Sequence, residues 1–112
     1  MSRIEQVNLT VSSPAATADM LADLFGWHVR WRGSSIHGGE SWHVGTGEDY
    51  LALYRSPELR TEADGSYWTL GGLNHIGVVV DDLDAVEAKV RARGLTPHSH
   101  ADYEPGRRFY FE

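Results

Sequence analysis

Between Leu73 and Asp84 the chain reads LNHIGVVVDDLD, which sets one imidazole, His75, at the mouth of an apolar strand that runs into an acidic helix start. An imidazole there suits two tasks: ligating a metal ion, or lining a pocket as a neutral donor and acceptor. A second pattern is His98-Ser99-His100. In an extended segment both rings stand on one face, roughly 6–7 Å apart from a rise of ~3.3 Å per residue, a spacing that can chelate a metal. The pair follows Pro97 and precedes a turn, so a solvated loop edge is the expectation. His43, in the short strand SWHVGT, can be assigned to neither face. His28 and His37 sit among charged or Gly-rich neighbours and are expected at the surface. Arg107 and Arg108 suit a carboxylate or phosphate, but neighbours on a strand point opposite ways, so at most one of them can face a pocket. The chain has no cysteine, which removes disulfides, thiolate nucleophiles and Cys-zinc sites. Phosphate-cradling Gly loops, Ser-His-Asp sets and dinucleotide fingerprints are absent from the sequence.

The elements that must position these groups follow from periodicity. IEQVNLTV alternates, with Val7, Leu9 and Val11 on one face and Gln6, Asn8 and Thr10 on the other. SSP supplies a Ser cap with Pro14 at the first helical position. Ala18, Leu21, Leu24 and Phe25 then recur at helical spacing until Gly26 stops the helix. WHVRWR is predicted as a strand with Trp27, Val29 and Trp31 on one side and His28, Arg30 and Arg32 on the other. GSSIHGGE is a turn-rich loop, and SWHVGT and DYLALYR are two more strands. In the last of these, alternation puts Leu51 and Leu53 toward the helix and Tyr50, Ala52 and Tyr54 on the opposite face. Trp27, Trp31 and Trp42 are expected to pack, and Trp68 to act as a pocket lid or dimer contact.

The stretch 56–72 is polar and without a period, and is expected to be a connecting loop. The pattern then restarts. NHIGVVV alternates, Asp81 or Asp82 caps a helix striped with Leu83, Val86 and Val90, Gly94 ends it, and LTPHSH, ADYEPG and RRFYFE follow as strand edge, turn and strand. His75 falls over Gln6 when the halves are aligned, and Gly94 over Gly26, as an internal duplication would leave them. Residues 1–112 are accordingly expected to be one domain, with unit one at 3–55 and unit two at 73–112. Unit two is one strand short of unit one, which would leave backbone groups unpaired. The expectation is that the natural chain is longer or that another chain covers the edge.

At 112 residues a chain can bury roughly two thirds of its unfolded surface. A net charge of −6 argues against nucleic acid, whose binding is driven by clustered Lys and Arg. No apolar run nears the ~20 residues that span a bilayer, and the start lacks a signal-peptide core. A cytoplasmic protein is the default expectation.

These segments together resemble the vicinal oxygen chelate superfamily, the glyoxalase, bleomycin-resistance and extradiol-dioxygenase group. The resemblance is sharpest over LNHIGVVVDDLDAVEAKVRARGLTP and GRRFYFE, with support from IEQVNLTVSSP and LFGW. It implies an α+β fold in which two βαβββ units form a cupped mixed β-sheet with the helices outside. It also implies metal ligands from the first and last strand of each unit. Carried over by position, the first is Gln6 and the third is His75. The second, where enzymes of the group carry Glu, is Ala52, and the fourth would follow FYFE. A Zn, Ni, Fe or Mn site needs at least three protein ligands, usually with a carboxylate, and Gln6 with His75 alone would hold such an ion poorly. The resemblance therefore implies a small-molecule-binding protein with an incomplete catalytic metal site and no favoured cofactor, its ligand contacted by Gln6, Asn8, Tyr50, Tyr54 and His75. Two alternatives stay open: a metal-dependent glyoxalase-type lyase, isomerase or dioxygenase using Gln6 and His75, and a bleomycin-resistance-like protein that sequesters a drug. A homodimer is implied by the same likeness.

Overall fold

A computed structural model describes residues 2–61 and 65–112; residues 62–64 of the connecting loop lie outside the described residues. The chain begins with strand β1 (Gln6–Thr10) and helix α1 (Pro14–Phe25). The local signals act as their chemistry dictates. Ser13 Oγ accepts from the Ala16 N–H at 3.2 Å, Pro14 occupies the first turn, and Gly26 takes the left-handed conformation (φ 71°) while its N–H donates to the Ala22 carbonyl. A side chain with a Cβ would be strained at that φ, which is why a glycine ends the helix there.

Strands β2 (His28–Ser34), β3 (Glu40–Gly45) and β4 (Tyr50–Arg55) complete a four-stranded sheet in the order β1-β4-β3-β2. β1 runs parallel to β4 and the other pairs are antiparallel, so the sheet is mixed. Register sorts its two faces. The row Leu9, Leu53, Trp42 faces α1, where Ala18, Leu21, Val44 and Leu53 form the buried core, with Leu51, Trp27 and Trp42 packed around it. The next row, Asn8, Ala52, His43, Trp31, faces away from the helix. β2 is broken by a β-bulge: Val29 pairs with Val44 and Trp31 with His43, so Arg30 is left without a partner opposite. This corrects the simple alternation expected for WHVRWR. One inserted residue shifts every side chain after it to the other face.

The second half holds α2 (Leu83–Ala92), β5 (His98–Tyr103) and β6 (Gly106–Tyr110). Of the two cap candidates, Asp82 is the one used, its carboxylate accepting from the Ala85 N–H at 3.0 Å. Val90 on the α2 stripe is fully buried. The helices meet through Arg93, which bonds Asp19 and Asp23, and through Lys89 Nζ, which donates to the Asp23 carbonyl. The segment Asn74–Val80, expected as a strand, has no ladder partner among the described residues. In unit one, by comparison, β1 takes its ladder from β4. In unit two β5 and β6, among the described residues, pair only with each other. No helix among the described residues is long and apolar enough to cross a membrane.

Candidate functional site

The face of the first sheet turned away from α1 carries a continuous column of π systems. Tyr50 stacks on His43 (ring centroids 4.5 Å, 26°), and His43 meets Trp31 at 4.9 Å. The Arg30 guanidinium lies 4.4 Å from the Tyr50 centroid, on the ring's electron-rich face. Tyr50 Oη donates to Glu5 Oε1 at 2.6 Å. That bond, helped by burial and the Glu5 charge, pushes the phenol above its ordinary range, because ionising it would place two anions together. Burial and the Arg30 charge hold His43 below the ordinary histidine value of 6.5, against a smaller pull from Glu5.

The expected site residues divide into two groups. Gln6 and Asn8 are exposed on β1, in register with Tyr50 and Ala52. Tyr54 shares their face, but its hydroxyl donates to the Ile36 carbonyl at 2.7 Å, and its ring lies against Gly39, where a Cβ would collide with it. His75 stands in the second half, with Nδ1 3.4 Å from Tyr67 Oη and its ring edge-on to Tyr110 at 5.5 Å. Gln6 and Tyr50 line a cleft of roughly 370 Å³ together with Ile76, Gly77, Val78 and Val79. The segment after His75 therefore reaches unit one, while the His75 ring is turned toward Tyr110. A second cleft of roughly 310 Å³ lies between the end of α1 and α2, away from the aromatic column.

Tyr110 is the centre of the second group. His98 stacks on it at 6.2 Å, and its hydroxyl is 3.3 Å from that of Tyr103, whose ring carries the Arg108 guanidinium at 4.0 Å. The hydrogen bond from Tyr103, followed by Arg108, holds the Tyr110 phenol below its ordinary range, and the same bond raises Tyr103. The expectation that His98 and His100 share a face on a loop edge is corrected. Both lie on β5, and a bulge with Ser99 at φ 54° sends them to opposite sides. His98 reaches Tyr110, while His100 stacks on the neighbouring Phe109 and donates to Glu87 on α2 at 3.0 Å. The two arginines separate as alternation requires: Arg107 binds Asp84 on α2 and Arg108 shares the Tyr110 side.

Three contributors were not legible beforehand. Trp31 is 48% exposed rather than packed, unlike Trp27 and Trp42; Arg30 shares its face; and His43 belongs with Tyr50. The register of β3 against β4 assigns His43, and no run of six residues contains that information.

The model of the Glyoxalase/Bleomycin resistance protein/Dioxygenase superfamily matches residues 3–112. The chain belongs to this superfamily. A glyoxylase/bleomycin resistance protein/dioxygenase domain from Frankia sp. EAN1pec is 20% identical with a TM-score of 0.80, covering 99% of this chain and 88% of that one. The fosfomycin resistance protein FosX from Mesorhizobium loti is 20% identical (TM-score 0.70), covering 99% and 82%. FosX from Listeria monocytogenes, crystallised with Mn(II) and 1S,2S-dihydroxypropylphosphonic acid, is 15% identical (TM-score 0.70), covering 100% and 84%. These likenesses establish the glyoxalase-like α+β fold. Among curated proteins no sequence matches significantly.

Metal ions occur within the superfamily, so the donor set of this member is the relevant test. The positions that the family resemblance assigns hold an amide at Gln6, a methyl group at Ala52 and an imidazole at His75. Ala52 is 1% exposed, between Asn8 and His43 in the ladder. Among the described residues no three His, Asp or Glu side chains gather as a metal-holding group. These three positions supply two donors, an amide and an imidazole, and no carboxylate.

The shifted groups set an acid limit on this superfamily member. His43 has a folded value below its unfolded one, so the fold favours the neutral ring; its contribution is complete above about 6.5 and is lost as pH falls through the folded value. Glu87 is lowered, first by the hydrogen bond from His100 and then by that from Arg91, so its contribution is present above about 4.5 and is lost below that. Thermal midpoints followed from neutral pH downward should decline in two stages. His43→Asn should remove the earlier stage and Glu87→Gln the later one; a profile unchanged by both would refute the assignment.

Proposed function

We propose that this protein binds a small organic molecule on the open face of its first sheet and lacks a complete catalytic metal site. Gln6, Asn8, Tyr50 and Tyr54 contribute from unit one, and the working species is a homodimer. The observation that carries the reading is Ala52, a buried methyl group at the position where the superfamily's metal-dependent enzymes carry a carboxylate. A methyl group at that position can serve neither as a metal ligand nor as a base for metal-assisted proton transfer. What the face does offer is large rings with polar tips and two amides, a composition suited to small-molecule recognition.

Metal analysis together with native ligand extraction tests the proposal. Protein purified without chelators is expected to hold far less than one metal ion per chain, to show no glyoxalase turnover, and to release an organic ligand on denaturation. A tightly held, stoichiometric Ni, Zn, Fe or Mn ion would replace this reading with that of a metal-dependent lyase, isomerase or dioxygenase. Support for that second reading comes from the Mn(II)-bound FosX of the same fold. Increased drug tolerance in a sensitive host carrying the gene would point instead to sequestration of a drug.

A further inference from the structure

We infer that the ligand of this face is a planar aromatic or heteroaromatic ring bearing a carboxylate or comparable oxyanion, with Trp31 as its stacking platform and Arg30 as its anion partner. The inference rests on the small-molecule-binding reading above and narrows it to a ligand class. Its foundation is the bulge in β2. Adjacent residues of a regular strand point to opposite faces. Here the unpaired position at Arg30 lets both Arg30 and Trp31 serve one face: Arg30 covers Tyr50 and Trp31 abuts His43. Bulges commonly re-aim side chains beside binding sites.

The Trp31 ring is held in a way that leaves it available. It lies down along its own strand over Gly33, where an added Cβ would come within 2.8 Å of Cζ2 and 3.1 Å of Cη2. One side of the indole is thus seated on backbone and His43, and the residue remains 48% exposed. A large ring fixed at one side and open at the other is a stacking surface.

Charge supplies the second half of the inference. The chain has 16 acidic and 10 basic Lys and Arg residues, so carboxylates are plentiful. Arg60, Arg91 and Arg107 are each paired with one and Arg93 with two, while Arg3, Arg32, Arg55 and Arg108 have none among the described residues. Arg30 makes no ion pair among the described residues, and the nearby Glu5 carboxylate is engaged by the Tyr50 hydroxyl instead. The Arg30 guanidinium is therefore held by a ring face, which leaves its planar array of N–H donors free for a bidentate oxyanion. In a protein of net charge −6, an anionic ligand needs such a local cation to offset the overall repulsion.

The test uses three probes on the full chain: 2-naphthoate, neutral 2-naphthylmethanol and cyclohexanecarboxylate, titrated by calorimetry with tryptophan fluorescence alongside. 2-Naphthoate is expected to bind at least roughly tenfold more tightly than either of the others, since each lacks one recognised feature. Arg30→Gln should bring 2-naphthoate to the level of 2-naphthylmethanol and leave 2-naphthylmethanol within about twofold of the parent protein. Trp31→Leu should weaken both aromatic probes, and Trp31→Phe should restore part of the loss. Circular dichroism of each variant separates loss of binding from loss of fold. Equal affinity for 2-naphthoate and cyclohexanecarboxylate, no effect of Arg30→Gln, or no binding of any probe by the folded protein would overturn the inference. A native extract that yields a non-aromatic or uncharged ligand would also overturn it, while leaving the proposed function in place.

Discussion

Ala52→Glu should destabilise the protein by about 3 kcal/mol at neutral pH and should not be rescued by metal. Two costs add. The site is 1% exposed and bounded by Asn8 and His43 in the ladder, so the longer side chain forces its neighbours apart, at about 1–3 kcal/mol for overpacking. The new carboxylate would also lose its hydration without an ion-pair partner, which raises its pKa and disfavours the ionised form. A group with a raised folded pKa costs most where the unfolded chain is ionised, so the deficit should shrink on mild acidification. Chemical denaturation at neutral and mildly acidic pH measures both parts. Adding Ni or Zn is the decisive arm. If the metal restored the lost stability in Ala52→Glu but did nothing for the parent protein, Gln6 and His75 would be shown to converge on the restored acid, against the separation of their side chains described above; stabilisation of the parent protein by the metal would overturn the proposed function.

Leu53→Ala, one residue along and on the opposite side of the sheet, should cost about 3 kcal/mol, within the roughly 2–5 kcal/mol range for large-to-small core changes. Leu53 is 0% exposed and joins Ala18 and Leu21 of α1 to Val44 of β3. Truncation leaves a cavity that the rigid sheet on one side and α1 on the other cannot close. For a domain near this size each kcal/mol corresponds to roughly 4–8 °C in the thermal midpoint, so a fall of ~12–24 °C is expected. A loss below about 1 kcal/mol would mean that α1 does not pack on β4 as described. Probe binding separates the two variants: Leu53→Ala leaves the outer face intact, so it should keep the parent protein's affinity for the aromatic probes at temperatures where it is folded.

What the sequence determined by itself was local. Alternation in β1 and β4 assigned Leu51 and Leu53 to the helix and Tyr50 and Tyr54 to the other face, because side-chain direction within a regular strand needs only the parity of the residue number. The Ser13-Pro14 start and the Gly26 stop of α1 were equally legible, since capping is satisfied within a few residues. The family's fold was implied by the resemblance of those segments to its members. Tertiary structure alone decided which side chains meet. An unpaired residue in β2 put Arg30 and Trp31 on one face, and Ser99 in β5 parted His98 from His100, each by breaking the parity on which sequence reading depends. Pairing across strands turned His43 toward Tyr50, and Asn74–Val80, for all its alternation, has no ladder partner among the described residues. Hydrogen-bond register is a property of two segments at once, so it cannot be read from either one.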